Sequence, residues 1–284
     1  MTLDPLRPWQ FFAEEERSAE GEIQTVNTIF LTNRECPWRC VMCDLWKNTL
    51  KTSVPPGAIP QQIVHALERL PAASVIKLYN SGSFFDPHAI PVTDYPAIAD
   101  LLGNFERVVV ESHPALIGDK CLRFRDLVAG RLEVAMGLET VHPEVLPKLN
   151  KGMTLEQFST ASKFLETHQM DLRAFILVRP PSLSEPEALY WGNRSLDFAF
   201  SCGATVASLI PTRSATPPRI QTLEACQEYG LELRQGRVFA DLWDLGKFST
   251  CEACYAPRHS RLRQMNLLQT IPPVAQCAVC GVPA

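Results

Sequence analysis

Three cysteines stand at i, i+4 and i+7 in Cys36-Pro37-Trp38-Arg39-Cys40-Val41-Met42-Cys43, directly after an apolar run, Ile23 to Leu31, that reads as a strand. Three thiolates on one short loop can reach three corners of a metal–sulfur cube while the fourth iron keeps an open position. Electron-transfer clusters are usually held by four cysteines. A trio with no nearby fourth therefore argues against a simple electron carrier. A second constellation lies near the end of the sequence, where Cys251-x2-Cys254 and Cys277-x2-Cys280 are separated by 22 residues. Paired Cys-x2-Cys motifs suit a four-thiolate structural zinc site, and thiolates suit an auxiliary iron–sulfur cluster as well. The symmetry of the two pairs favours zinc, as does the small core available to the tail. Between the pairs lie Arg258, His259, Arg261, Arg263 and Asn266, a local positive patch that could grip phosphates. Cys121, Cys202 and Cys226 read as small core residues.

The elements that must position the loop alternate strand and helix about six times. Gln24–Leu31 is the first strand and carries the cysteine loop at its end. Pro60 opens a helix through Leu70, with Ile63, Val64, Leu67 and Leu70 at helical spacing. Strands follow at Val75–Tyr79, Arg107–Val110, Leu132–Met136, Leu172–Val178 and Thr205–Ile210. Helices are expected at Tyr95–Leu102, Cys121–Ala129, Leu155–His168 (with Thr154 as N-cap) and Glu185–Phe200. Such alternation favours parallel βαβ units. Six units are too few for a closed eight-stranded barrel, so a partial (βα)6 TIM-like barrel is expected, with a doubly wound sheet as the runner-up. The expected domains are an N-terminal extension over 1–22, the barrel over 23–230 and a cysteine-rich, metal-binding C-terminal extension over 231–284. Alternation ends near Gly230.

In parallel barrels chemistry is carried by the loops at the carboxyl ends of the strands. Those positions hold Cys36, Cys40 and Cys43, then Asn80-Ser81-Gly82-Ser83, then Glu111-Ser112-His113, then Gly137-Leu138-Glu139-Thr140, then Arg179, then Thr212-Arg213. Arg173 begins the fifth expected strand. Glu111 and His113 are the candidate catalytic residues, and Trp243 with Asp241 and Asp244 borders the expected pocket.

The cysteine loop resembles the cluster loop of the radical S-adenosylmethionine (SAM) superfamily, Cys-x3-Cys-x2-Cys with an apolar or aromatic residue before the last cysteine; Met42 fills that place. The resemblance covers roughly residues 24 to 215. It implies a [4Fe–4S] cluster on Cys36, Cys40 and Cys43. It places Asn80, Ser81, Gly82 and Ser83 where the family holds the methionyl amino group, although the common Gly-Gly-Glu is missing here. It places Glu139 at the ribose hydroxyls and makes Arg173 and Arg179 the candidates for the SAM carboxylate. The run from Gly137 to Thr154, with Gly-Leu-Glu-Thr and Leu-Asn-Lys-Gly-Met-Thr, is similar to the branch containing the Elongator catalytic subunit and the archaeosine synthase radical SAM subunit. Both act on tRNA. The resemblance thus implies reductive cleavage of SAM to a 5′-deoxyadenosyl radical, a tRNA base or nucleoside as substrate, and a reductant such as flavodoxin or ferredoxin.

The bulk properties agree. At 284 residues, with 46% hydrophobic and 20% charged residues, the chain can bury a large core. A formal charge of −4 gives no global field toward nucleic acid. No apolar run reaches the roughly 18–20 residues of a membrane span, and no charged-then-apolar leader opens the sequence. A cytoplasmic protein is expected, in which clustered cysteines among the ten are metal ligands rather than disulfides. The rival class is a non-catalytic, metal-binding RNA-interaction protein built on the C-terminal knuckles, with the barrel as scaffold.

Overall fold

Apolar residues at alternate positions of consecutive strands give one sheet whose outer face carries helices. The computed structural model describes residues 3–213, 218–248 and 251–279. Its single eight-stranded sheet has its strands in sequence order, with β1 and β8 as edges. The strands are β1 (Gln10–Arg17), β2 (Ile23–Phe30), β3 (Val75–Tyr79), β4 (Arg107–Ser112), β5 (Arg131–Glu139), β6 (Asp171–Val178), β7 (Val206–Pro211) and β8 (Arg237–Ala240). Only β1 pairs antiparallel; β2 through β8 are parallel. The sheet curls into a half-barrel, the partial TIM-like architecture expected from the alternation. It reaches beyond the 23–230 span at both ends, taking in β1 and β8.

The intervening helices are α1 (Ala58–Leu67), α2 (Tyr95–Leu101), α3 (Asp119–Arg125), α4 (Val145–Lys148), α5 (Leu155–Thr167), α6 (Glu185–Ser201) and α7 (Ile220–Leu233), with α8 (Glu252–Leu268) after the last strand. Helix α5 starts where its capping box dictates: Thr154 Oγ1 accepts the Gln157 N–H, and the Gln157 side chain accepts the Thr154 N–H. Ile76, Leu78, Val108, Val110, Val134, Met136, Ala174 and Ile176 point outward into the main core under the helices. Their alternates point inward, because successive side chains of a strand leave opposite faces.

The inward face is layered. At the bottom, Glu16 of β1, Lys77, Glu133 and Arg173 form a buried ionic floor. Arg173 donates to both Glu16 and Glu133 at 2.6 Å, and Lys77 to Glu16 at 2.6 Å. Burial alone would raise the Glu16 carboxyl, but Arg173 and Lys77 outweigh it and hold it far below the usual carboxylate range. The inward apolar residues Val26, Val75, Val109 and Ala135 pack together, with Tyr79 and Phe175 against them. The top layer belongs to the strand ends. No described helix is long and apolar enough to cross a membrane.

Candidate active site

The loop after β2 is held by the loop between β5 and α5. Val41 N–H donates to the Leu149 carbonyl (3.0 Å), and Asn150 Nδ2 donates to the Arg39 carbonyl (2.8 Å). Trp38 lies flat on His113, ring centroids 3.7 Å apart and planes 8° from parallel. A Cβ on Gly152 would stand 3.2 Å from the Trp38 ring, and its φ of +69° suits glycine. So pinned, Cys36, Met42, Cys40 and Cys43 face a cavity of about 290 Å3 at the carboxyl end of the strands. Ser81, Gly82, Glu111, His113, Glu139 and Lys151 line the same space, with Phe175, Leu177, Thr212 and Arg213 opposite. Burial raises all three thiols, Cys36 to about 11. A metal that binds there therefore displaces protons.

Glu111 sits above Val109 on β4 and accepts N–H groups from Asn80 and Gly82 (3.2 Å for Gly82). It thereby shapes the loop after β3. Burial raises its carboxyl, against the pull of those amides. In that loop the side-chain amide of Asn80 and the hydroxyl of Ser81 are buried without hydrogen-bond partners. Buried polar groups rarely stay unsatisfied, so these atoms favour a polar ligand. Gly82 allows the loop to approach the cysteines, since a Cβ there would stand 3.3 Å from Cys36 Cβ. Three thiols, an unsatisfied amide and hydroxyl, and a glycine at the contact fit a cluster and its bound amino acid.

Glu139 ends β5 at a register shift from Gly137, with φ +66°. Such a bulge re-aims a side chain, and here it turns Glu139 into the cavity, 2.7 Å from Lys151 Nζ. Burial would lower the Lys151 ammonium, but Glu139 outweighs it and keeps it charged. A Cβ on Gly137 would collide with both groups.

His113 has its hydrogen bonds fixed. Its Nδ1 accepts the Ala115 N–H (3.1 Å), leaving Nε2–H to donate to the Lys151 carbonyl (3.0 Å). Burial and the Lys151 charge pull it from 6.5 down to about 4. The folded state thus binds fewer protons than the unfolded one between those values, and stability falls as pH drops through that window. His113→Phe keeps the stack on Trp38 and should flatten that part of the stability–pH curve. An unchanged slope in urea titrations at pH 4 to 7 would contradict this.

Other expected residues lie elsewhere. Arg173, expected at the SAM carboxylate, is 2% exposed in the ionic floor, two positions below Phe175 on the same face. The period of the strand takes it away from the rim. Arg179 follows β6, but its guanidinium donates to Glu185 (2.6 Å) and the Leu183 carbonyl (3.0 Å) rather than lining the cavity. Ser83 Oγ shares a 2.8 Å hydrogen bond with Ser112 Oγ and accepts the His113 N–H, so it ties two strand ends together. Of the tail's basic residues, Arg258 and Arg261 are buried and pair with Glu224 and Glu228, whereas Arg263 pairs with Glu15 at the surface; Asn266 bonds Ala240. Cys251, Cys254 and Cys277 come together in the tail; Cys280 lies outside the described residues. Lys151 and Trp38 are site residues that strand-end reading passed over, and Arg213, named at a strand end, was given no role there. Lys151 follows α4 rather than a strand, although it sits inside the Leu-Asn-Lys-Gly-Met-Thr run.

No protein-family model matches the sequence. An uncharacterised protein of Methanocaldococcus jannaschii is 25% identical over 223 residues, 73% of this chain and 61% of that protein. The archaeosine synthase subunit beta of Thermococcus kodakarensis is 26% identical over 166 residues, 55% of this chain and 51% of its own length. The chain thus spans about half to three-fifths of the curated relatives it matches. Among solved structures, the archaeal Elp3 of Methanocaldococcus infernus lacking residues 1–46 superposes with a TM-score of 0.50 at 12% identity, over 63% of this chain and 51% of that one. That likeness is one of fold. With the three-cysteine loop at the mouth of the half-barrel, these similarities support the resemblance to the radical SAM superfamily, near the branch of Elp3 and archaeosine synthase subunit beta.

Proposed function

We propose that this chain is a radical SAM enzyme acting on a base in tRNA. One observation carries most of the reading: the thiols of Cys36, Cys40 and Cys43 face one cavity beside buried polar groups that lack partners. The three cysteines would hold a [4Fe–4S] cluster, with Met42 against it. When bound, the cluster and SAM supply reductive cleavage of the sulfonium to a 5′-deoxyadenosyl radical, using an electron from a flavodoxin- or ferredoxin-type donor.

The chain's own residues bind, orient and shield. Asn80, Ser81 and Gly82 offer amide, hydroxyl and close backbone to the amino group of SAM, and Ser83 braces them through Ser112. Glu139 is aimed by its bulge to accept from the ribose hydroxyls. Arg213, lining the cavity at the end of β7, is the cation for the SAM carboxylate. Lys151 lies against Cys40 and Cys36 and favours their thiolate forms. Glu111 and His113 act as positioning residues, one shaping the Asn80 loop and the other carrying Trp38. Phe175 and Leu177 keep the interior apolar and dry.

Similarity to the archaeosine synthase branch supports a tRNA base as substrate. The cavity mouth adds support, because Trp46 is 41% exposed there with Arg39 and Lys51 at 5.6 and 5.8 Å from its ring. An aromatic face flanked by cations suits unstacked bases and phosphates, at about 1–3 kcal/mol per stacked base. Trp46→Ala should weaken tRNA binding by about tenfold; equal affinities in a filter-binding titration would remove this support.

The test is direct. Anaerobically reconstituted chain, given SAM and dithionite, should release 5′-deoxyadenosine, and the Cys36/Cys40/Cys43→Ala variant should release none. A cluster that forms without SAM cleavage would overturn the enzyme reading.

A further inference from the structure

The tail cysteines carry an inference independent of the SAM chemistry. Among the described residues, Cys251, Cys254 and Cys277 are the one group of three possible metal ligands whose donor atoms all lie within 4.8 Å of one another. Thiolates sharing one tetrahedral ion at about 2.3 Å each stand about 3.8 Å apart, and Cys251 Sγ lies 3.8 Å from Cys277 Sγ. In a four-iron cube each thiolate takes a different iron, so the outward bonds splay the sulfurs apart. In a two-iron cluster at most two thiolates share an iron, which displaces the third. Three sulfurs drawn this close have room for one ion.

A second observation lies beside them. Arg258, one turn along α8 from Cys254, is 0% exposed. It pairs with Glu224 on one side of the guanidinium. The Cys254 side chain faces the same guanidinium. A buried cation turned toward clustered thiols fits an anionic metal–thiolate centre, whose sulfurs still accept hydrogen bonds.

The placement gives the centre a task. Cys251 caps the N-terminus of α8, and α8 packs on both edge strands, β1 and β8. Arg263 reaches Glu15 on β1 (2.8 Å), and Asn266 accepts the Ala240 N–H and donates to its carbonyl on β8. The chain then doubles back, with the Pro272 and Pro273 carbonyls accepting from Arg261, and brings Cys277 to Cys251. The helix covers the side of the half-barrel that the sheet leaves open.

We propose that Cys251, Cys254 and Cys277 bind a single zinc ion that clasps α8 across the open side of the half-barrel, with Arg258 as its charge partner. Tetrahedral thiolate ligation suits zinc. Zinc, iron and sulfide are measured in full chain purified anaerobically, in Cys277→Ser and in the loop triple variant. Parent and loop variant should each hold about one zinc per chain, and Cys277→Ser should lose it while keeping the iron. The double variant Arg258→Gln/Glu224→Gln, which leaves no lone buried charge, should bind zinc about 10–100-fold more weakly in competition with a chromophoric chelator. Removing zinc should speed amide exchange in α8, β1 and β8 but not in β5.

Iron with sulfide surviving in the loop variant would overturn the proposal in favour of a tail cluster. So would one sulfide-free iron there, a parent without zinc, unaltered affinity in the double variant, or unaltered exchange in α8. Loss of SAM cleavage with the zinc results intact would count against the enzyme reading alone.

Discussion

Arg173→Met should lower the free energy of unfolding by about 3–5 kcal/mol, because removing one partner of a buried ionic group strands the others. Arg173 is 2% exposed and Glu133 is 0% exposed, so no water replaces the lost guanidinium. Glu16 and Glu133 would then face each other across the barrel floor, Glu16 keeping Lys77 and Glu133 keeping only Arg107, at 3.2 Å. Glu16 lies 4.0 Å from Arg237. The triple variant Arg173→Met/Glu16→Gln/Glu133→Gln should recover much of the loss. Urea denaturation measures both, and a loss below about 1 kcal/mol for the single variant would show the floor to be more hydrated than its burial implies. The same network sets a pH limit. The Glu16 carboxyl lies below its unfolded value, so its contribution is present above the unfolded pKa and is lost as pH falls through the folded one.

The second large effect concerns Glu139. Glu139→Ala should weaken SAM binding by about tenfold to a hundredfold, the equivalent of the 1.5–3 kcal/mol carried by a hydrogen bond to a charged group. It also strands the Lys151 ammonium, which is 2.7 Å from the carboxylate in the cavity wall. Gly137→Ala should act in the same direction without touching a polar group, because its Cβ displaces both partners of the pair. Equilibrium dialysis against the reconstituted chain measures the affinity. Parental affinity in both variants would remove Glu139 and Lys151 from the SAM site, while leaving the cluster loop unaffected.

The central strands were legible because their outward faces are uniformly apolar. Val75–Tyr79 ends where expected, and Leu172–Val178 lies one residue inside its strand. β1 was not legible. Glu14-Glu15-Glu16 reads as solvated charge, and only the assembled barrel gives Glu16 its buried arginine and lysine. β8 has four residues, too few for a periodic signal. Residues after strands were good guides to the cavity: the loop cysteines, Ser81, Gly82, Glu111, His113 and Glu139 all reach it. The guide failed for Arg173, since charge alone does not say at which layer of a barrel a side chain lies. It also missed Lys151, which enters from a helix-flanking loop. The tail arginines looked like a surface patch because their carboxylate partners, Glu224, Glu228 and Glu15, come from distant elements.

The proposed chemistry depends on one iron that the protein would leave open for SAM to bind. Electron paramagnetic resonance of the dithionite-reduced, reconstituted chain, recorded with and without SAM, examines that iron directly. The account predicts a cluster signal that depends on Cys36, Cys40 and Cys43 and changes shape when SAM is added. A signal unmoved by saturating SAM, or one that survives replacement of all three cysteines, would contradict it.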